Sequence, residues 1–215
     1  MKKLLVLTLA LMMVFSVTTL AAEPMHQNQK VGIYYGAFET EGGSDVDSYF
    51  LQYEEYYTSG YHFDFKFGIG DADKFDYDIE MTDLGVYKRV GASRNYIGAG
   101  YKHLNEEAKI SCVSVDINSW AIPIKFKTIQ SFDSKTRFVG KLDYILFGDY
   151  DVTAVSGSTG VSGDGDFEGY AIDLSIERDI TDRIAARVGY VNEDYEYDDL
   201  NSGFDGLYLG ANMSF

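Results

Sequence analysis

A single cysteine and two prolines occur in 215 residues. Cys112 on its own cannot close an internal disulfide, so burial and hydrogen bonding must hold the fold. Pro24 and Pro123 are the only breaks that proline imposes, which leaves long uninterrupted strands open to the rest of the chain. Cations are scarce: 18 Lys and Arg stand against 34 Asp and Glu, a formal net charge of −16. That balance argues against nucleic acid as a partner, because phosphate contacts draw on Lys and Arg. After residue 17 no apolar run approaches the roughly 20 residues of a spanning helix. If the chain crosses a membrane it does so with strands, whose backbone groups are satisfied in a closed ring. Phosphate-loop, zinc-ligand and haem motifs are all missing, and His26, His62 and His103 fall in no nucleophile or acid-base grouping. Neither a catalytic residue nor a cofactor is therefore assigned.

What the chain does have is period-two alternation. Tyr61, Phe63, Phe65, Phe67 and Ile69 alternate with His62, Asp64, Lys66, Gly68 and Gly70. The last residues repeat the pattern, with Leu207, Leu209, Ala211, Met213 and Phe215 against Tyr208, Gly210, Asn212 and Ser214. Ten segments read this way, near residues 31–40, 49–57, 61–70, 75–82, 97–102, 120–127, 138–146, 170–177, 184–190 and 207–215. Eight remain if the second and fourth are misread. In the fourth, Phe75, Tyr77, Ile79 and Met81 form the apolar file and Asp76, Asp78 and Glu80 the other. The phase then slips at Asp83, Leu84 and Val86, which predicts a β-bulge near Thr82 or an early strand end. Pro123 cannot donate to a ladder and predicts a local irregularity in the sixth. Segments 41–48, 104–116, 149–166 and 192–205 read as longer, mostly acidic loops on the external side, with 71–74 short for that side, alternating with compact connections such as 58–60 and 178–182.

The residues at both ends place this pattern. Lys2 and Lys3 precede an apolar run over residues 4–17 and a small-x-small site, which reads as a cleaved secretory signal over 1–21, with cleavage after Ala21 or Ala22. Its loss takes the two lysines with it and the charge from −16 to −18. A strand ending on an aromatic residue resembles the closing strand of bacterial outer-membrane barrels, and the hairpin through Ile180-Thr181-Asp182-Arg183 resembles the periplasmic turns of OmpA-like barrels. The chain is thus similar to small outer-membrane β-barrels of the OmpA-like and porin-like superfamily. The resemblance implies an all-β, antiparallel, up-and-down transmembrane barrel over 31–215, preceded by a short periplasmic segment at 22–30. It also implies a Gram-negative outer membrane as location, and outer-membrane lipid, lipopolysaccharide and the barrel insertion machinery as partners. That machinery would read the closing strand with Tyr208 and Phe215. A soluble, lipocalin-like barrel with the aromatics inside stands as an alternative, since periodicity does not tell inside from outside.

On the transmembrane reading the strand charges fall on the inward file. The expected lumen network is Asp64, Lys66, Asp78, Glu80, Lys102, Lys125, Lys127, Lys141, Asp143, Asp173, Glu177 and Arg187, with Glu54 beside it. Mixed signs in a narrow interior predict pairing and a closed core. A narrow channel is the first alternative, and a barrel enzyme acting on lipid A or peptides the second. Asp164, Asp166 and Glu168 are weak candidates for a hard divalent cation, without a full calcium-loop motif. A host or surface ligand is not legible.

Overall fold

The computed structural model describes residues 28–72, 76–198 and 200–215. The predicted signal, the 22–27 stretch and His26 lie outside them. Ten strands follow one another in chain order: β1 (Asn28–Thr40), β2 (Asp45–Tyr56), β3 (Tyr61–Ala72), β4 (Tyr77–Val90), β5 (Asn95–Ile110), β6 (Val113–Ser131), β7 (Thr136–Ser156), β8 (Thr159–Asp179), β9 (Ile184–Tyr197) and β10 (Leu200–Ser214). Each pairs antiparallel with its sequence neighbours, and β1 pairs β10 from Lys30↔Ser214 to Thr40↔Phe204, closing the ring. Closure leaves no sheet edge, which is the condition for strands to span lipid. β1 starts three residues ahead of the predicted barrel boundary.

Both described chain ends and four short connections, at 57–60, 91–94, 132–135 and 180–183, share one end of the barrel. Side-chain oxygens build two of these turns. Asp133 Oδ1 accepts the backbone N–H of Lys135 and of Thr136, each at 2.7 Å, and Thr181 Oγ1 accepts the N–H of Ile184 at 3.0 Å. The two backbone donors hold the exposed Asp133 carboxyl below the usual aspartate range. At the opposite end the predicted loops are largely strand. The 149–166 stretch is the tip of a hairpin of two 21-residue strands that turns at 157–158, and β9 and β10 run on through most of 192–205. Their Ser, Gly and Asp content resembles loop composition, but the ladder carries them outward in register, from Asp149↔Asp166 to Ser156↔Thr159. Gly157 turns at a φ of 62°, where glycine carries no Cβ penalty. The irregularity expected at Pro123 is present as a register shift between Ile122 and Pro123.

β4 differs from its expected phase. Its pairing with β3 is continuous from Ala72↔Tyr77 to Tyr61↔Lys88, so no bulge interrupts it at Thr82. Met81, Gly85 and Tyr87 are buried in the lumen, while Asp78 and Glu80 are exposed on the outer face. The apolar file of the upper β4 faces in because an apolar cluster fills the lumen at that height, where Met81 packs with Phe38 and Phe50.

That inversion is general. Around the lower barrel the outer face is apolar, as with Ile33, Leu51, Ile97, Phe126, Leu142, Ile176, Val188 and Leu209. The same strands carry Glu54, Asp64, Lys125, Lys127, Glu177 and Arg187 inward. Further toward the hairpin tips the faces exchange character. On β9, Val191, Tyr195 and Tyr197 are buried inside, and Asn192, Asp194 and Glu196 lie outside. A strand leaving hydrocarbon for water needs this exchange, since its outer surroundings change and its core does not.

Candidate functional site

The lumen holds a stack of ion pairs. Nearest the turns, Glu177 accepts from Lys30 Nζ at 3.0 Å, Asn212 Nδ2 at 2.7 Å and Arg137, which also reaches Asp179 at 2.8 Å. One level up, Lys127 Nζ lies 2.7 Å from Glu54 and 2.8 Å from His62 Nε2, while His62 Nδ1 is 3.2 Å from the Glu55 carbonyl. That geometry fits the tautomer in which Nδ1–H donates to the carbonyl and Nε2 accepts from the ammonium. Lys141 Nζ sits 2.9 Å from Asp64, which also accepts from Tyr87 Oη at 3.2 Å. Arg187 meets Asp173 at 3.2 Å, Gln52 at 3.2 Å and Ser175 at 2.9 Å. Lys125 bridges Asp83 at 2.6 Å and Asp143 at 2.5 Å, and above it Lys102 contacts Glu193 and Tyr195. Buried charges are tolerated when paired and hydrogen-bonded in this way.

Of the expected network, Asp64, Lys102, Lys125, Lys127, Lys141, Asp143, Asp173, Glu177 and Arg187 make these contacts. Lys66 also faces the lumen, with its Nζ 4.4 Å from the Phe50 ring centroid. Asp78 and Glu80 do not belong: they lie on the outside, for the reason given for β4. Sequence reasoning missed Asp83, Glu193, Lys30 and Arg137. Asp83 was legible only by extending the Leu84 and Val86 phase backward, whereas Glu193 sat in a stretch read as loop. Tyr208 is a lumen residue, donating to Asp173 at 2.6 Å with its ring edge-on to Tyr34. Phe215 is exposed on the outer side, and its N–H donates to Gln29 O at 3.0 Å.

Above the ion pairs an aromatic cluster crosses the lumen. Phe38 and Phe50 lie 5.7 Å apart, and Phe167 stacks on Tyr197 at 4.9 Å. Over it Glu106 accepts from Tyr77 at 3.0 Å, Tyr197 at 3.0 Å and Ser202 at 3.3 Å. Three cavities within the stack measure about 10, 30 and 10 Å³, room for one to a few waters each. Two larger spaces lie at the mouths, about 410 Å³ at the turn end and about 200 Å³ at the hairpin end.

Outside, above the apolar belt, carboxylates stand directly opposite one another on neighbouring strands. Asp47↔Asp71, Asp71↔Asp78, Asp78↔Glu107 and Glu107↔Asp116 form one continuous row across β2 to β6. Glu39 pairs with both Asp45 and Asp205. Tyrosines at the belt's upper edge donate upward to this collar, Tyr35 to Asp47 at 2.5 Å and Tyr190 to Asp205 at 2.9 Å. Asp164, Asp166 and Glu168 lie on the outer face of β8 in the same collar. Among the described residues, the carboxylate or imidazole groups gathered closely enough to share a metal ion are Glu54, His62 and Asp64, where Lys127 and Lys141 already supply the positive charge. His103 is remote from that group and approaches Asn118 at 3.3 Å. Cys112 is exposed in the β5–β6 turn.

A closed antiparallel ring with an apolar outer belt, a polar lower lumen and short turns at the end that holds both described chain ends defines a transmembrane β-barrel of the outer-membrane class. The fold is shared with the outer membrane protease OmpT of Escherichia coli, at 8% identity and a TM-score of 0.56, covering 88% of this chain and 96% of that one. Two other matches superpose less closely. The outer membrane protein AlkL gives 15% identity, a TM-score of 0.49 and coverage of 90% and 93%, and the neisserial surface protein NspA gives 9%, 0.45, and 88% and 97%. No family model and no curated protein sequence matches the chain.

Proposed function

We propose that the protein is an integral outer-membrane barrel with a closed lumen, and that it acts through its acidic outer collar and hairpins and not as a conduit or an enzyme. The observation that carries this reading is Lys127, which spans the lumen from β6 to reach Glu54 on β2, with the buried pairs of Lys141 and Lys125 stacked above it. Removing that blockage means breaking buried pairs, so thermal motion of one side chain does not open a path. The aromatic cluster around Phe50 and Phe167 adds a second barrier of different chemistry. On this reading both chain ends face the periplasm and the collar lies at the height of the lipopolysaccharide headgroups. Phe215, exposed on the outer file of β10, is the residue offered to the insertion machinery.

Planar-bilayer recording on the refolded chain tests the closed lumen. The expected result is no steady unitary conductance for the native protein. Discrete, reproducible openings in the native barrel would replace this reading with that of a narrow channel. Hydrolysis of lipid A or peptides by the same preparation, lost on changing His103, would replace it with that of an enzyme.

A further inference from the structure

All six arginines of this acidic chain, Arg89, Arg94, Arg137, Arg178, Arg183 and Arg187, lie toward the turn end of the barrel. All but Arg178 line the 410 Å³ mouth cavity, together with Lys30. Its inner cations are already matched: Lys30 and Arg137 serve Glu177 and Asp179, and Arg187 serves Asp173. The outer three are not. Arg89 donates to the backbone carbonyls of Ser93 and Ala92, and neither it nor Arg94 nor Arg183 has a carboxylate within 4 Å among the described residues. Arg89 and Arg94 flank the β4–β5 turn, and Arg183 sits in the β8–β9 turn on the far side of the ring. Tyr57 and Tyr96 line the wall between these groups; of the carboxylates that also line the cavity, Glu54, Glu177 and Asp179 are held by Lys127, Lys30 and Arg137, and Asp182 adjoins Arg183.

We infer that this vestibule is a binding site for an anion carrying two or more phosphate or carboxylate groups. Guanidinium groups present a planar fork that matches both oxyanions, and a volume near 400 Å³ suits a small polyvalent ligand. All three outer guanidiniums are exposed and solvated, and an anion that spans the vestibule would gain fork-shaped contacts from both sides of the ring. The site stands whether or not the lumen is closed; only its placement on the periplasmic side rests on the orientation proposed above.

Calorimetry with inorganic pyrophosphate on the full chain in neutral detergent tests it. The expected result is saturable binding that weakens about tenfold for each guanidinium removed in Arg94→Gln and Arg183→Gln, and that is unchanged in Asp164→Asn at the opposite end. Heat-modifiable gel mobility verifies that each variant still forms the barrel. Absence of binding, or binding indifferent to the Arg94→Gln/Arg183→Gln double variant in a folded barrel, overturns the inference. Repeating the titration in nanodiscs separates two sources of the same chemistry. Competition by cardiolipin, which carries two phosphates, identifies lipid headgroup phosphates as the occupant, and undiminished pyrophosphate binding identifies a soluble anion; both uphold the site. An impermeant maleimide reports orientation separately, because labelling of Cys112 on intact cells places the arginine mouth inside. Failure to label would reverse the orientation and leave the pyrophosphate result intact.

Discussion

Glu54 and Lys127 meet across the lumen at 2.7 Å, from strands separated by three others in the ring. The contact closes a span of the barrel that backbone pairing does not touch. Replacing Lys127 by Met leaves the buried Glu54 carboxylate with one cation within 4 Å, Lys141 at 3.5 Å, and hydrogen bonds from Gln52 and Tyr56, and is expected to destabilise the barrel by about 3 kcal/mol. Replacing both residues with apolar ones of similar volume removes the uncompensated charge and recovers most of that loss. Urea unfolding in lipid vesicles, followed by tryptophan emission from Trp120, compares the three proteins. Equal stability of the single and double variants would contradict the expected recovery.

Tyr208 lies flat over Gly189 on the neighbouring strand. A Cβ at residue 189 would come within 2.5 Å of the phenol ring, displacing it from Asp173. Gly189→Ala is expected to cost about 1–3 kcal/mol as an overpacked interior, and Gly163→Ala, where the nearest atom is 3.5 Å away, to be close to neutral. Thermal shifts of heat-modifiable mobility rank the two.

The carboxylate row from Asp47 to Asp116 sets like charges directly opposite one another. Asp71→Asn relieves repulsion from both Asp47 and Asp78 and is expected to stabilise the barrel by about 0.2–1 kcal/mol at low salt. The gain should shrink as ionic strength rises, because exposed charges are screened. Unfolding midpoints measured over a salt series give the trend, and a salt-independent gain would point to a cause other than charge.

Two outward residues of β10 distinguish the belt from the collar. Leu209→Arg places a charge in hydrocarbon and is expected to cost about 2–4 kcal/mol if it lies near the midplane, falling toward the interfaces. Asp205→Arg, at the height of Glu39, should cost little. Folding free energies in vesicles decide this; equal costs would move the membrane boundary.

The β6–β7 turn carries an acid-sensitive element. Asp133 has a depressed folded-state pKa because its carboxylate accepts two backbone N–H groups, so its stabilising effect is present above the ordinary aspartate value of 3.8 and is lost as the pH falls through the lower folded value. Protection of the Lys135 and Thr136 amides, relative to their intrinsic exchange rate at each pH, should fall over that acid range, and in Asp133→Ala it should already be lost at neutral pH. Protection unchanged by acid would remove this role.

Much of the architecture was legible along the chain. Segments such as 61–70 and 207–215 alternate cleanly because each lower strand lies between lipid and a polar lumen, and the scarcity of proline lets them run unbroken. The inward positions of Lys125, Lys127 and Arg187 follow from that alternation once the apolar file is set against lipid. The polarity of the upper barrel did not follow. Asp78 and Glu80 were placed inside because the apolar file was assumed to face lipid throughout, whereas above the belt that file fills the lumen. A period of two separates the files without naming the one that faces in, and the surroundings that decide it change along a single strand. Cross-lumen contacts such as Glu54 to Lys127, and the gathering of Arg94 with Arg183 at one mouth, join residues remote in the chain. Sequence by itself determined a succession of alternating strands and the two files that each of them carries. Tertiary structure alone decided where those faces exchange, how far the hairpins extend and which charges meet, because closure of the ring brings distant strands to a shared interior.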